Sequence, residues 1–275
     1  MKTIIVTGAN SGIGKEAALN LAKLGHRVLM LSRDSEKSEQ ALEEIRSQSN
    51  NQNVSLIKVD LSSPRSITSA VEKINIDHEV IDVLVNNAGI YKVKRQENEN
   101  GIEMTFAVNF LAAFMLSQML LKKLEASGDG RIINVVSELY KNGSQDFDDL
   151  MLESKYKAGN AYANSKLAAV LYTVELAKQI KDQGITVNAL HPGVLATSSF
   201  RDYPNFVVKL LNLFLEDPEK GGERIAYLAT SDEVAHTTGK YFYKTEEREI
   251  DTSVYGSETA EKLWQIAEEL TGLEA

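Results

Sequence analysis

The chain has 275 residues, 43% of them hydrophobic and 25% charged, with a net charge of −9 and no cysteine. The length is ample for a full core, as one large α/β domain or two small ones. The missing cysteine excludes a disulfide framework and a thiolate metal site. The negative charge makes the chain a poor partner for nucleic acid, because it would meet phosphate backbones with repulsion.

In chain order, short β-branched runs alternate with longer helical patterns. Strands are predicted at Thr3–Thr7, Arg27–Ser32, Val54–Val59, Val80–Asn86, Arg131–Ser137, Thr186–Leu190 and Lys240–Tyr243. Helices are predicted at Ile13–Leu24, Ser35–Ser49, Pro64–Ile74, Gly101–Ala126, Gly159–Lys181, Pro218–Thr230 and Ser257–Thr271. This alternation marks βαβ units, so the expected fold is α/β: a Rossmann-type, doubly wound parallel sheet of about seven strands in a single domain, residues 1–275, with helices on both faces. Two stretches interrupt the rhythm, Glu138–Lys157 and Leu195–Asp217, and each follows the carboxyl end of a strand, where open α/β sheets bind ligands. The apolar run after Met1-Lys2-Thr3 is too short for a signal peptide, and the longest apolar-rich stretch, Phe206–Leu215, is too short to span a bilayer. A cytoplasmic protein without a membrane span is therefore expected.

The segment Thr3–Gly14 reads as strand, glycine turn, helix. Gly8 permits the tight turn, Gly12 lets backbone approach a pyrophosphate, and Gly14 lets helix and strand pack closely. The helix N-terminus supplies N–H donors and a positive dipole end for phosphates. The nucleotide is selected at the end of the second strand. Arg33 suits a 2′-phosphate, which favours NADP(H). Asp34 lies at about the spacing of an acid that holds the ribose hydroxyls of NAD, which leaves NAD(H) open; its plainer reading is a cap for the helix beginning at Ser35.

Tyr162 and Lys166 lie four apart in a predicted helix and so share a face. A cation beside a phenol favours the phenolate, by up to about 4 kcal/mol at ~4 Å and an effective dielectric of ~20. That predicts a tyrosine lowered toward general acid/base work. The spacing alone proves little, since chance would supply about one such pair among ten tyrosines. Its weight comes from its place on a long helix directly after the fifth strand. The histidines, His26, His78, His191 and His236, are too far apart to offer a local ligand pair, so no metal site is expected. The acidic residues of Gln145–Glu153 read as a solvated rim. Phe200, Tyr203, Phe206, Val207, Leu210, Leu211 and Phe214 read as a substrate lid at about 195–217.

Together these stretches resemble the short-chain dehydrogenase/reductase family over nearly the whole chain. The likeness is carried by Thr7–Gly14, Asp60-Leu61, Asn86-Asn87-Ala88-Gly89, Asn109, Arg131–Ser137, Tyr162 with Lys166, and His191-Pro192-Gly193. Within the family the chain is most similar to the retinol-dehydrogenase and protochlorophyllide-reductase-like branch, through Lys15-Glu16 after the glycine loop, Ser165–Ala168, Gly239–Phe242 and Ala260–Trp264.

The resemblance implies an oxidoreductase that interconverts a carbonyl and an alcohol. It makes Tyr162 the general acid and base, Lys166 its partner and a ligand of the nicotinamide ribose, Ser137 the group that orients the substrate carbonyl, and Asn109 a member of a proton relay. The cofactor would be held by Gly8, Asn10, Ser11, Gly12, Ile13 and Gly14 at the phosphates and by Arg33 at the 2′-phosphate. Asp60 and Leu61 would hold adenine, and Asn87, Ala88 and Gly89 would line the adenosine ribose. Tyr162, Lys166, Pro192, Gly193, Val194 and Thr197 would hold the nicotinamide side. Where many NADP-preferring relatives carry a second base in the glycine loop, this chain has Ser11, so Arg33 acts largely alone. Relatives form dimers or tetramers through the two long helices, and the resemblance extends that to this chain. The alternative of another class is a catalytically silent dinucleotide-binding sensor or scaffold, which shares the glycine loop but has no need of Ser137, Tyr162 and Lys166 together.

Overall fold

The computed structural model describes residues 1–193, 216–251, 255–256 and 258–273. In chain order the elements are β1 (Thr3–Thr7), α1 (Gly12–Lys23), β2 (Arg27–Ser32), α2 (Glu36–Ser49), β3 (Val54–Lys58), α3 (Pro64–Asp77), β4 (Val83–Asn86), α4 (Met104–Glu125), β5 (Gly130–Val135), α5 (Ala158–Gln179), β6 (Ile185–His191), α6 (Pro218–Thr230), β7 (Tyr241–Tyr243), β8 (Glu246–Arg248) and α7 (Thr259–Thr271). The strands form one sheet in the order β3-β2-β1-β4-β5-β6-β7-β8. All neighbours are parallel except β7 and β8, a short antiparallel pair with Tyr241 opposite Arg248.

The sheet is covered on both faces because its strand residues alternate between two cores. Ile5, Leu29 and Leu31 face the side packed by α3, α4, α5 and α7. Ile4, Val6, Val28 and Met30 face the side packed by α1, α2 and α6. Period-two alternation with both sets apolar is what a buried parallel sheet requires. The strand order reverses between β1 and β4, and the carboxyl ends around that reversal form the crevice in which such sheets hold ligands. The turns after β1, β4, β5 and β6 all open there.

Several expected boundaries move. The predicted fifth strand through Ser137 stops at Val135, because Ser137 leaves the sheet to cap a 3₁₀ turn over Glu138–Asn142, accepting from the Leu139 N–H at 3.3 Å. Asp34 does not cap α2. Ser35 does so, its hydroxyl accepting from the Ser38 N–H at 3.3 Å, and Asp34 turns to Lys58 instead. The long apolar stretch of the chain is α4, and not Phe206–Leu215; α4 is long and apolar enough to cross a membrane, but it is a core helix, 78% of its most apolar window being buried. The strand β8 lies beyond the seven predicted. It is three exposed polar residues held by pairing with β7. Trp264 of α7 packs against Phe114 of α4 and Tyr172 of α5, at 5.3 and 5.7 Å between ring centroids, and so covers part of the surface of the two long helices. The lid residues Phe200 to Phe214 lie outside the described residues.

Candidate active site

At the head of β1, Gly8 and Gly12 adopt φ of +67° and +54°, which side chains other than hydrogen rarely tolerate. A Cβ on Gly14 would stand 2.5 Å from the Gly8 carbonyl oxygen and 2.4 Å from Asn87 Nδ2, so glycine is required for α1 to start this close to the sheet. At Gly12 a Cβ would meet nothing within 4 Å, so that side of the turn is open. The N-terminus of α1 is also unlike those of α2 and α3. Ser35 and Ser63 cap their helices by side chain, whereas Ser11 makes no such bond and no acid occupies the first turn of α1. Among the described residues its first N–H groups meet no side-chain acceptor, which suits an incoming phosphate.

Asn87 and Ala88 tie the turn after β4 to β1. Both backbone N–H groups donate to Thr7 Oγ1 at 2.9 Å, and the Asn87 amide donates to the Thr7 carbonyl at 2.8 Å. Asn87 therefore spends its donor on the scaffold. Deeper in, Asn86 donates to Asn134 at 2.9 Å and Asn134 to Thr173 of α5 at 2.9 Å, a buried polar chain fixing α5 against the sheet. At the adenosine end, Arg33, Asp34 and Asp60 are exposed. Asp60 closes a turn by accepting from the Ser62 N–H and hydroxyl, and Leu61 packs on the core. Asn10 donates to Ser38 at 3.0 Å, and Ser38 donates to the Arg33 carbonyl, linking the glycine turn to the end of β2. Ile13 is half-buried against the core behind the turn.

At the other end, α5 brings Tyr162 and Lys166 together with Ser137. The Lys166 ammonium lies 5.7 Å from the centre of the Tyr162 ring and donates to the Val135 carbonyl at 2.9 Å. Lys166 is 4% exposed, and burial lowers its pKa to about 8. Burial raises the Tyr162 phenol above its usual value, and a hydrogen bond with Ser137 works against that rise. The lowering of Tyr162 by Lys166 expected from the spacing is therefore not the dominant effect here. Lys166 turns its charge to a backbone carbonyl, and desolvation of the phenol outweighs what remains.

Asn109 sits in a π turn, Ala107–Leu111, that widens α4 at this point, as such turns do at functional sites. Its amide brackets Ile90, accepting from the N–H at 2.7 Å and donating to the carbonyl at 3.0 Å, and also donates to Ser165 at 3.0 Å. Two of these bonds position the backbone of Ile90, and the third ties Asn109 to Ser165 of α5. Gly89 separates it from Lys166: a Cβ there would be 3.5 Å from Lys166 Nζ and 3.6 Å from Asn109 Oδ1. Beyond β6, Gly193 holds φ +101°, and the Pro192 carbonyl accepts from Arg224 at 2.6 Å. Arg224 also pairs with Glu216 at 2.5 Å, and Glu216 with Lys244 at 2.6 Å. Val194 and Thr197 lie outside the described residues.

Three contributors escaped the sequence reading. Tyr91 packs on Tyr162, ring centroids 5.7 Å apart at 52°. Its backbone is fixed from both sides, by Asn109 on Ile90 and by the Tyr156 hydroxyl donating to the Lys92 carbonyl at 2.7 Å. An aromatic residue directly after Asn87–Ile90 was the available signal. Arg224 and Lys58 gave none: Arg224 reaches back to the Pro192 carbonyl, and Lys58 meets Asp34 only through the pairing of β2 with β3.

The arrangement can move a proton at Tyr162 beside an oxygen held by Ser137, next to a cradle shaped for a dinucleotide. Residues 2–205 match the family model described as short chain dehydrogenase. The chain is 41% identical to human retinol dehydrogenase 13, covering 100% of this chain and 86% of that protein. It is 38% identical to human retinol dehydrogenase 14, covering 99% and 87%. Among solved structures it is similar to an uncharacterized protein from Mycobacterium paratuberculosis, with a TM-score of 0.80 and 27% identity over 100% of this chain and 94% of the other. It is also similar to a short chain dehydrogenase from Shigella flexneri complexed with NADP, with a TM-score of 0.72 and 25% identity over 89% and 97%.

Proposed function

Because the chain belongs to the short-chain dehydrogenase family, we propose that it interconverts an apolar aldehyde or ketone with its alcohol, using NADP(H), with Tyr162 as general acid and base. It is an NAD(P)-dependent oxidoreductase of the retinol-dehydrogenase-like branch, acting on CH–OH donors. The observation that carries the finer reading is that Ser137 acts on the Tyr162 phenol while the Lys166 ammonium lies 5.7 Å from the centre of the same ring.

When bound, the nicotinamide supplies or accepts the hydride at the carbonyl carbon. The chain's own residues do the rest. The N-terminus of α1 and the turn through Gly12 would hold the phosphates, and Lys166 would hold the nicotinamide ribose. Ser137 donates to the carbonyl oxygen and fixes it beside Tyr162. In reduction Tyr162 gives that oxygen its proton, and in oxidation it takes the proton back. A phenol raised by burial is protonated at neutral pH, which suits the reducing direction. Asn109 holds Ile90, and through it Tyr91, against the working face of Tyr162.

The apolar substrate is supported by Tyr91, packed on Tyr162, and by Leu139, which is 49% exposed and follows Ser137 by two residues in the chain. The relatives named retinol dehydrogenase make a long apolar alcohol or aldehyde the first compound to assay. Cofactor preference is supported by Arg33 at the end of β2. The test is a panel of aldehydes, ketones and alcohols followed by NADPH absorbance, repeated with NADH. Reduction of apolar aldehydes with a kcat/KM favouring NADPH is expected. Preference for NADH, or turnover confined to polar sugars, would overturn the reading.

A further inference from the structure

The end of β2 carries an acid as well as a base, and the structure shows what the acid does. In the β2–β3 pairing Ser32 stands opposite Lys58, and the Val59 N–H donates to the Ser32 carbonyl at 2.9 Å. Lys58 is thereby placed beside Arg33 and Asp34, the two exposed residues that follow Ser32. Its ammonium lies 2.8 Å from Asp34 Oδ1 and 3.4 Å from Glu39. Asp34 lies at about the spacing at which an acid accepts the ribose hydroxyls of NAD, and there it would repel a 2′-phosphate. Paired with Lys58, it is turned toward β3 and its charge is balanced. Ser11 in the glycine turn supplies no cation of its own.

We propose that Lys58 is a cofactor-specificity residue that acts through Asp34, neutralising the acid so that Arg33 can hold a 2′-phosphate. The proposal rests on the NADP(H) reading and names the residue that makes that reading compatible with an acid at this place. All three side chains are exposed, and an exposed ion pair of this kind contributes little to folding. Its removal therefore alters the local charge and leaves the scaffold intact. Freed from Lys58, Asp34 would stand unbalanced near a phosphate dianion. At ~5 Å in water that repulsion corresponds to about a tenfold change in affinity.

The test is calorimetric titration of the chain with 2′,5′-ADP and with 5′-AMP, which differ at the 2′-phosphate alone. The wild type should bind 2′,5′-ADP more tightly. Lys58→Met should weaken 2′,5′-ADP about tenfold and leave 5′-AMP within about twofold, and Lys58→Arg should behave as wild type. Adding Asp34→Asn to Lys58→Met should restore 2′,5′-ADP to within about twofold of wild type, since the unbalanced charge is then gone. A residue that merely pins α2 through Glu39 would change both nucleotides alike and would not be rescued at Asp34. An unchanged preference in Lys58→Met, or no rescue in the double variant, overturns this proposal and leaves the NADP(H) reading standing. A wild type that binds both nucleotides equally defeats the NADP(H) reading itself.

Discussion

The two ends of the cleft use charge in opposite ways. At the adenosine end Arg33, Asp34 and Lys58 stand in water, and their arrangement is open to exchange with a ligand. At the catalytic end Lys166 is buried against Val135, and its pKa is lowered to about 8. A charge in water is screened and selects among ligands at little expense to folding. A charge out of water is felt at full strength by its neighbours, and the fold carries its desolvation. Under the proposed function, the first end would select the cofactor and the second would carry the reaction.

The largest effect that separates the two ends is expected at the phenol. Tyr162→Phe removes the proton and little else, so kcat should fall about 10³-fold while the affinity for NADPH stays within about twofold, read by stopped-flow absorbance and by fluorescence titration. Near-wild-type turnover would show that the catalytic end does not work through Tyr162.

Next is Lys166→Met, for which activity and stability should move apart. Turnover should drop about 10²-fold or more, while the urea midpoint at pH 7 should not fall and should rise if the methionine packs well. The folded state holds Lys166 near 8 against 10.5 for the free side chain, a burden of about 3 kcal/mol while the amine is charged. The sign follows from proton counts. Below pH 8 the lysine is charged in both states and the burden is complete. Between pH 8 and 10.5 the unfolded chain binds more protons than the folded one, so stability at this site rises with pH. The difference between wild type and Lys166→Met should therefore shrink from pH 8 to pH 10.5. A difference that stays constant across that window would mean that Lys166 is not desolvated in the folded chain.

The same contrast explains what could be read from the amino acids alone. Thr3–Thr7, Arg27–Ser32 and Pro218–Thr230 fall at their predicted bounds, because local signals set them: apolar strands that stop at a turn, and Asp217 capping a helix with Pro218 in its first turn. The meeting of Ser137, Tyr162 and Lys166 was legible through their order along a recognisable pattern. The exposed end was not, because partners distant in sequence set it. Asp34 read locally as a helix cap, and only the β2–β3 register brings Lys58 to it. The strand β8 has no apolar pattern of its own and exists through β7. The π turn at Asn109 is invisible to a 3.6-residue period, since it adds one residue to a helix whose faces remain apolar. The direction of the Tyr162 shift was misjudged for a related reason: spacing gives the distance to Lys166 but neither the burial of the phenol nor the carbonyl that takes up the ammonium.

The smallest expected effect tests the contrast most directly. Raising ionic strength from ~0.05 to ~0.5 M shortens the screening length from roughly 14 Å to about 4 Å. On the proposed reading, binding of 2′,5′-ADP would depend on exposed charges and should weaken several-fold, more than 5′-AMP, whose phosphate would be held largely by backbone N–H groups at α1. The pH window over which wild type and Lys166→Met converge should not move, because salt does not reach an ammonium enclosed by protein. A window that shifted with salt as strongly as 2′,5′-ADP binding would place both ends of the cleft in the same solvent. The division between selecting by exposed charge and reacting by buried charge would then fail.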